Sequence, residues 1–195
     1  GLDQFARAFF GMRDGDWGEL TYDFDEVVST LNGVYRYDWA EFLRSRINES
    51  GRPAPLAGIE KAGYRLVWKD TPNPYEDGAA KHRKSLDLSY SLGLAIGEEG
   101  VVSSAVWDGP AFKAGVVKGT KIVAVNGVAY SQQVIKDAIT AAKGGSKPVE
   151  LLVRRGEQYM TVPITWNQGL RYPWLERTGA KETGLDRLLA PRTKG

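Results

Sequence analysis

The stretch SYSLGLAIG, residues 89–97, alternates as a β-strand does, yet it carries Gly93 in its middle. Glycine weakens a strand because it has no side chain to pack and loses the most backbone entropy when it is ordered. Its presence indicates either a β-bulge or a place where something must come close to the backbone. The segments around it favour the close approach.

The chain has 195 residues, of which 42% are hydrophobic and 26% are charged, an ordinary globular composition. Such a length suits one large domain or two small ones and needs no metal or disulfide for stability. The net charge of +2 gives no electrostatic reason to expect nucleic acid or an anionic membrane as the main partner. No cysteine is present, which excludes disulfides, thiolate catalysis and cysteine-ligated zinc. No apolar run reaches the roughly 18 residues of a membrane span.

The first 52 residues are predicted to be helical. Apolar residues follow a helical spacing over residues 2–10, and Gly11 ends that run. Asp23 and Glu26 have the spacing of a capping box ahead of a second helix. Their large apolar faces lead us to expect that these helices pack on one another and on a neighbouring domain.

The motif DWAE, beginning at Asp38, repeats the capping device ahead of a third helix that is expected to end at Gly51. The segment RPAPLAG, residues 52–58, is rich in Pro and Gly and marks a boundary. GYRLVWK, residues 63–69, alternates like a strand. DTPNPYEDGAAKHRK, which follows it, is expected to be a loop or a frayed short helix that holds His82, the single histidine.

From Ser85 onward, strand patterns dominate. The predicted strands are SLDLSYSLGLAI, GVVSSAVW, TKIVAVNG, PVELLVRR and YMTVPITW. Sharp turns are expected at Asn126–Gly127 and at Gly156, the latter as a hairpin. PAFKAG is typical of a short helical turn, and SQQVIKDAITAAKGG of a longer helix that begins after Ser131 and stops at Gly144–Gly145.

These elements, in this order, resemble a PDZ domain. SLGLAIG is similar to the carboxylate-binding loop and peptide-receiving strand of that family, with Ser91 where the first glycine usually stands. DGPAFKAGVVKGTKIVAVNG, residues 108–127, resembles a stretch found in PDZ domains of bacterial HtrA-type proteases. Gly119-Thr120 replaces the usual Gly-Asp pair there.

The fold class expected from this resemblance is α+β. A small helical segment, residues 1–52, would form the end of a catalytic region. A PDZ domain would follow over residues 58–166, as a five- to six-stranded, partly open β-barrel or sandwich with two helices. Residues 167–195 would form a C-terminal tail, with its start packed on the body.

The resemblance also implies a peptide-binding site. Backbone N–H groups in the loop would replace the water around a peptide carboxylate, and the loop residues are Ser91, Leu92, Gly93 and Leu94. The peptide would add as a strand beside residues 94–96, in a groove closed by the longer helix. The expected groove residues are Ala95, Ile96, Gln132, Gln133, Val134, Ile135, Ala138 and Ile139. Strand alternation and the uncertain helix register leave open which of these side chains belong to the core instead.

Glutamines at 132 and 133 replace the histidine with which one PDZ subclass binds a Ser or Thr hydroxyl. This favours a ligand with a hydrophobic or undemanding preference. The groove could instead dock a segment of the same chain and meet no free peptide.

The helical part is similar to a second family. Four segments resemble the C-terminal part of bacterial glycyl aminopeptidase-like zinc metallopeptidases, in which a thermolysin-like catalytic domain precedes a PDZ domain. These segments are LDQFARAFFG, GELTYDFDEVVSTLNGVYRYDWAEFLRSRI, AGYRLVW and DLSYSLGL. The resemblance runs from residue 2 to about 175 and is most specific at FARAFFG and at YDWAEFL, residues 37–43. It implies that the parent protein is a zinc aminopeptidase that favours small N-terminal residues, and export to the periplasm is an expectation from the family alone.

The chemistry of that family needs a His-Glu-x-x-His helix and a further Glu to hold zinc. Neither is present, and His82 in the basic stretch KHRK is interpreted as a solvated residue. We therefore expect this fragment to be catalytically silent and without a cofactor, with zinc in the parent's catalytic domain. The chain, which begins at Gly1 in a helical pattern, is interpreted as part of a longer protein.

Two functions remain open. The PDZ domain would bind peptide or protein C-termini, or extended segments, by β-strand addition. Alternatively, it would pack on the parent's own catalytic domain and gate its cleft as a structural or regulatory domain, without a free peptide ligand. Neither nucleic acid nor a membrane is expected as a partner.

Overall fold

The computed structural model describes residues 1–12, 15–48, 54–179 and 182–191. The chain divides into two compact units, Gly1–Pro55 and Leu56–Gly195. Helices and strands are both present, and the fold class is α+β. Gly51, the expected end of the third helix, lies outside the described residues.

The described residues of the first unit form three helices. These are α1 (Leu2–Phe10), α2 (Phe24–Val34) and α3 (Trp39–Ile47). The capping box of α2 is confirmed: Asp23 Oδ1 accepts the N–H of Glu26 at 2.8 Å, and Glu26 Oε2 accepts the N–H of Asp23 at 3.0 Å. Asp38 caps α3 by accepting the N–H of Glu41, and Gly11 follows the last residue of α1, as predicted.

Aromatic side chains provide much of the packing in this unit. Phe9 is buried, with its ring 5.2 Å from Phe5 and 5.2 Å from Tyr22. Phe10 and Trp17 are exposed, at 70% and 99%. The first unit therefore leaves part of its aromatic surface uncovered, both on α1 and in the segment after it.

Among its described residues the second unit contains five α-helices, one short 3₁₀ helix (Glu98–Gly100) and nine strands. The α-helices are α4 (Ala57–Lys61), α5 (Pro74–Arg83), α6 (Pro110–Lys113), α7 (Gln132–Ala141) and α8 (Gly184–Leu189). The strands are β1 (Tyr64–Lys69), β2 (Leu86–Leu88), β3 (Leu94–Ile96), β4 (Val102–Ala105), β5 (Lys121–Val125), β6 (Val128–Ala129), β7 (Val149–Arg155), β8 (Gln158–Ile164) and β9 (Tyr172–Arg177).

The nine strands form three open antiparallel sheets. Their orders are β1-β9, β2-β3-β4 and β6-β5-β7-β8. No closed barrel is formed by the strands in the described part of the chain. The expected hairpin at Gly156 joins β7 to β8, and the turn at Asn126–Gly127 joins β5 to β6. Both central residues of that turn have positive φ, of 49° and 81°, which suits a tight hairpin.

Two segments differ from the sequence prediction. SLDLSYSLGLAI forms the short strands β2 and β3 around a turn, instead of one strand. DTPNPYEDGAAKHRK contains the ten-residue helix α5 instead of a loop or a frayed short helix. This helix is fixed at its start because the Asn73 side chain accepts the N–H of Glu76 at 2.9 Å and Pro74 occupies the first turn.

The segment that the sequence analysis sets apart as a tail contains β9 and α8. Tyr64 pairs with Arg177 in the β1-β9 register. The Tyr64 hydroxyl also donates to Asp186 Oδ1 at 2.9 Å. Most of the described tail thus belongs to the second unit.

The core of the second unit lies among β2 to β8, α6 and α7. Its largest fully buried side chains are Leu88, Leu92, Leu94, Ile96, Ile122, Ile135, Ile139, Leu151, Ile164, Val102, Val116 and Val125. Each such side chain contributes about 1.5–3 kcal/mol through burial. Of the helices described, none has the length and apolar character needed to cross a bilayer.

Candidate functional site

The predicted carboxylate-binding loop is the turn between β2 and β3. Ser91 is 2% exposed, Leu92 and Leu94 are 0% exposed, and Gly93 is buried. The carbonyl of Leu88 accepts the N–H groups of Ser91 and Gly93, at 2.9 and 3.0 Å. The Gly93 N–H, which the sequence analysis assigns to a peptide carboxylate, is therefore already bonded within the chain.

Gly93 has a φ of +79°, a conformation that L residues with a side chain adopt at a cost. A Cβ atom built at this position would lie 3.5 Å from Gly109 Cα and 3.5 Å from Pro110 Cδ. The Gly93 carbonyl accepts the N–H of Val106 at 2.8 Å. The close approach expected at this glycine is made by residues 106–110 of the same chain.

Strand β3 has no free edge. Residues 94–96 pair with residues 86–88 of β2 on one side and with β4 on the other. The resemblance implies a peptide strand beside Leu94, Ala95 and Ile96. In the structure, both sides of this strand are occupied by the chain's own strands, because the segment before the loop turns back and pairs.

Strand β2 is also covered from outside by other elements. Helix α5 packs against it. Burial raises the pKa of Tyr172 on β9 to about 12, with smaller contributions from the charges of Glu76 on α5 and Asp87 on β2. Burial and the Asp87 charge likewise raise the pKa of the Glu76 carboxyl, against the opposing hydrogen bond from the backbone of Asn73. The carboxylates of Glu76 and Asp87 therefore both act on the Tyr172 hydroxyl.

The apolar residues expected to line the groove belong mainly to the core. Ile96, Ile135 and Ile139 are 0% exposed, and Ala138 is 8% exposed. Ala95 and Val134 are half-buried. A peptide side chain would reach the three isoleucines only if β3 and α7 moved apart.

The polar groove residues lie on the surface at the start of α7. Gln132 and Gln133 are exposed, and the Gln133 side chain donates to Asp137 Oδ1 at 2.8 Å. The predicted N-cap is confirmed: Ser131 Oγ accepts the N–H of Val134 at 3.1 Å. The two glutamines therefore lie at the surface, whereas the apolar groove residues that follow them on α7 are buried in the core.

The start of the tail is predicted to pack on the body, but its place beside the loop, where residues 166–171 lie, is not predicted. The backbone N–H of Arg171 donates to Ser91 Oγ at 3.1 Å, and Leu170 packs against the core. The Asn167 carbonyl accepts the N–H of Gly144 at 2.8 Å, just beyond α7. Apolar Trp166 and Leu170 in a polar stretch were the available signal for this contact.

The described residues contain no group of three or more His, Asp or Glu side chains placed to hold a metal ion. His82 is exposed near the C-terminal end of α5.

No protein-family model matches the chain, and no curated protein matches it either. Among solved structures, an aminopeptidase N family protein from Idiomarina loihiensis matches 87% of this chain at 17% identity, with a TM-score of 0.53. The chain spans 29% of that protein. At this identity the likeness shows a shared fold alone.

A second solved structure, the HtrA3 PDZ domain bound to a phage-derived ligand (FGRWV), matches 58% of this chain and 91% of its own. The identity is 18% and the TM-score is 0.30. A likeness of this size carries no argument about fold or ligand.

Proposed function

We propose that the chain is a non-catalytic, PDZ-type module with an attached helical segment, from the C-terminal part of an aminopeptidase-like protein. We further propose that it acts as a structural or regulatory domain toward the parent's catalytic domain. The observation that carries this proposal is the pairing of β3 on both edges by the chain itself.

The PDZ assignment is supported by the order of elements around the loop. A loop with a left-handed glycine precedes β3, and the short helix α6, the β5-β6 turn and α7 follow in the order that the resemblance implies. The parent assignment is supported by the fold shared with part of a longer aminopeptidase N family protein. Zinc and the catalytic residues belong, on this proposal, to a part of the parent outside this chain.

A structural role fits the groove better than a receptor role does. Strand addition needs a row of unpaired backbone groups along one strand edge, and β3 has none because β2 and β4 take both sides. Of the apolar residues expected to line the groove, Ile135 and Ile139 are fully buried and present no exposed surface to a peptide. The module therefore presents a closed surface where a peptide receptor would present a groove.

Peptide binding by strand addition is the second candidate, and the shortness of β2 favours it. Only three residues of β2 pair with β3, and the middle one, Asp87, is exposed. A strand this short has few backbone hydrogen bonds to lose. A peptide could take the place of β2 if it made more contacts with β3 than β2 loses.

Amide hydrogen exchange of the full chain distinguishes the two candidates. On the structural proposal, the amides of residues 94–96 are protected without ligand, and peptides with free C-termini leave their exchange unchanged. Asp87→Pro fixes φ of the central residue of β2 at about −65°, away from the value of an antiparallel strand, which should weaken the pairing of β2 with β3. Asp87→Asn is the matched control, because it leaves this backbone angle free.

Strand addition predicts the opposite pattern. A peptide with a free C-terminus would slow exchange in β3, most strongly in the Asp87→Pro variant, and amidating the peptide would abolish the effect. That result would replace the structural proposal by the receptor one. Zinc-dependent peptide hydrolysis by this chain would contradict both.

A further inference from the structure

A cavity of about 550 Å³ lies beside the loop in the second unit, and the proposed function does not use it. Its lining residues come from β1, the turn after α7 and the segment before β9: Trp68, Lys69, Asp70, Lys143, Gln168, Leu170 and Arg171. We call it the cationic cavity. It lies next to the loop, because the Arg171 N–H donates to Ser91 Oγ and the Trp68 ring lies 5.0 Å from the Tyr90 ring.

The charges around the cationic cavity are unequal. Lys69, Lys143 and Arg171 are positive, and Asp70 is the one carboxylate on the lining. Lys69 Nζ lies 3.1 Å from Glu176 Oε1, a carboxylate that Lys69 shares with Arg65. Among the described residues, Lys143 and Arg171 have no carboxylate partner within ion-pair distance. Two positive charges are therefore available to a ligand.

Arg171 is held in place by three contacts. Its guanidinium carbon lies 4.4 Å from the centre of the Trp68 ring, and its Nη1 donates to Gln168 Oε1 at 2.6 Å. Its backbone N–H is fixed on Ser91 Oγ. A guanidinium oriented in advance loses less entropy when it binds, and its remaining N–H groups match the two oxygens of a carboxylate.

We propose that the cationic cavity binds a peptide carboxylate, with Arg171 and Lys143 as the cations that contact it and Trp68 as the wall. The volume lies within the range of small-ligand sites and exceeds the need of a single ion. The carboxylate is supplied by a free peptide C-terminus or by an acidic side chain. The site is separate from residues 92–96 and does not require β3 to open.

The test uses the full chain and four probes at up to millimolar concentration. The acidic probe is acetyl-Ala-Gly-Ser-Glu-Glu-Ala-amide. The C-terminal probe is acetyl-Ala-Gly-Ser-Gln-Gln-Ala with a free carboxylate, and its amide is the neutral control. Inorganic phosphate is the fourth probe. The readout is the NMR shift of the Trp68 indole N–H, which reports on the cavity wall and not on β3.

A shift with the acidic probe, the C-terminal probe or both, without one for the neutral peptide, is the expected result, and it shows which source supplies the carboxylate. Arg171→Gln and Lys143→Gln should each weaken binding by about tenfold, because each removes a charge-assisted contact. Asp70→Asn should strengthen binding, since it removes the opposing charge. Lys147→Gln, on the same exposed turn outside the lining, should change the affinity less than twofold.

Circular dichroism establishes that each variant is folded. Raising the salt concentration should weaken binding to the unsubstituted chain. A response to phosphate alone would overturn the proposal, since it would show a simple ion site. No response to either carboxylate peptide would overturn it as well. So would binding that the Arg171 and Lys143 substitutions leave intact.

Discussion

Replacing Gly93 by alanine tests what this glycine is for, with Gly100→Ala as the matched comparison. The two glycines are buried and have almost the same φ, +79° and +80°. At Gly93 the nearest atoms to a new Cβ are 3.5–3.6 Å away, which is ordinary contact. At Gly100 a Cβ would lie 2.7 Å from the carbonyl oxygen of Ile122 and 2.9 Å from Tyr130 Cδ1.

The expected magnitudes follow from these distances. A left-handed conformation costs an L residue about 1–2 kcal/mol, and alanine recovers about 0.4–1 kcal/mol through a less flexible unfolded chain. Gly93→Ala should therefore lower the free energy of unfolding by about 1 kcal/mol. Gly100→Ala has the same backbone term and, in addition, a steric one of about 1–3 kcal/mol. Its total should be about 2–4 kcal/mol.

The assay is urea unfolding of the full chain, followed by the NMR methyl signals of Leu151 in the core of the second unit. This probe avoids contributions from the first unit. If Gly93→Ala destabilised the unit as much as Gly100→Ala, ordinary contact with residues 106–110 would not explain the site. A further steric or hydrogen-bonding constraint on the Gly93 backbone would then have to exist in the folded state.

Three further predictions concern single side chains. Burial raises the pKa of Tyr172 from 10.0 to about 12, so the contribution of its protonated form to the free energy of unfolding is complete below pH 10 and is lost as the pH rises toward 12. Tyr172→Phe should reduce this alkaline decline of stability in urea unfolding, and an unchanged decline would contradict the prediction. Ile135→Ala, at a fully buried position, should lower the free energy of unfolding by about 2–5 kcal/mol in the same assay. Gln132→Ala, at an exposed position of the same helix, should lower it by about 0.5 kcal/mol or less. Equal effects would mean that the core assignment is wrong. Ser131→Ala should cost about 1 kcal/mol in thermal unfolding, because the N–H of Val134 loses its cap, and no loss would show that water replaces it.

The features predicted well from sequence are those with local causes. The capping box of Asp23 and Glu26, the cap at Ser131 and the hairpin at Gly156 each depend on residues a few positions apart. Such signals are complete within the segment that displays them.

The features that sequence did not predict depend on partners elsewhere or on an unusual turn. The turn from β2 to β3 has no Asn-Gly or Asp-Gly signal; it is closed by two N–H groups on the Leu88 carbonyl. Periodicity therefore predicted one strand, and a single strand leaves an edge free. The contact of Arg171 with Ser91 joins residues far apart in the chain, so the apolar Trp166 and Leu170 indicate that the segment packs on the body but not which residues it contacts.

The pairing of β1 with β9 determines how the second unit can assemble. The ion pair between Arg65 and Glu176 joins residues 111 positions apart. Closing so long a loop costs about 4 kcal/mol in chain entropy by its length dependence alone, so contact order favours formation of this sheet late in folding. Because Tyr64 and Arg177 are partners at the outer end of the pair, a force pulling these two residues apart would separate the strands one pair at a time. The rest of the second unit would then bear the force only after β1 and β9 had separated.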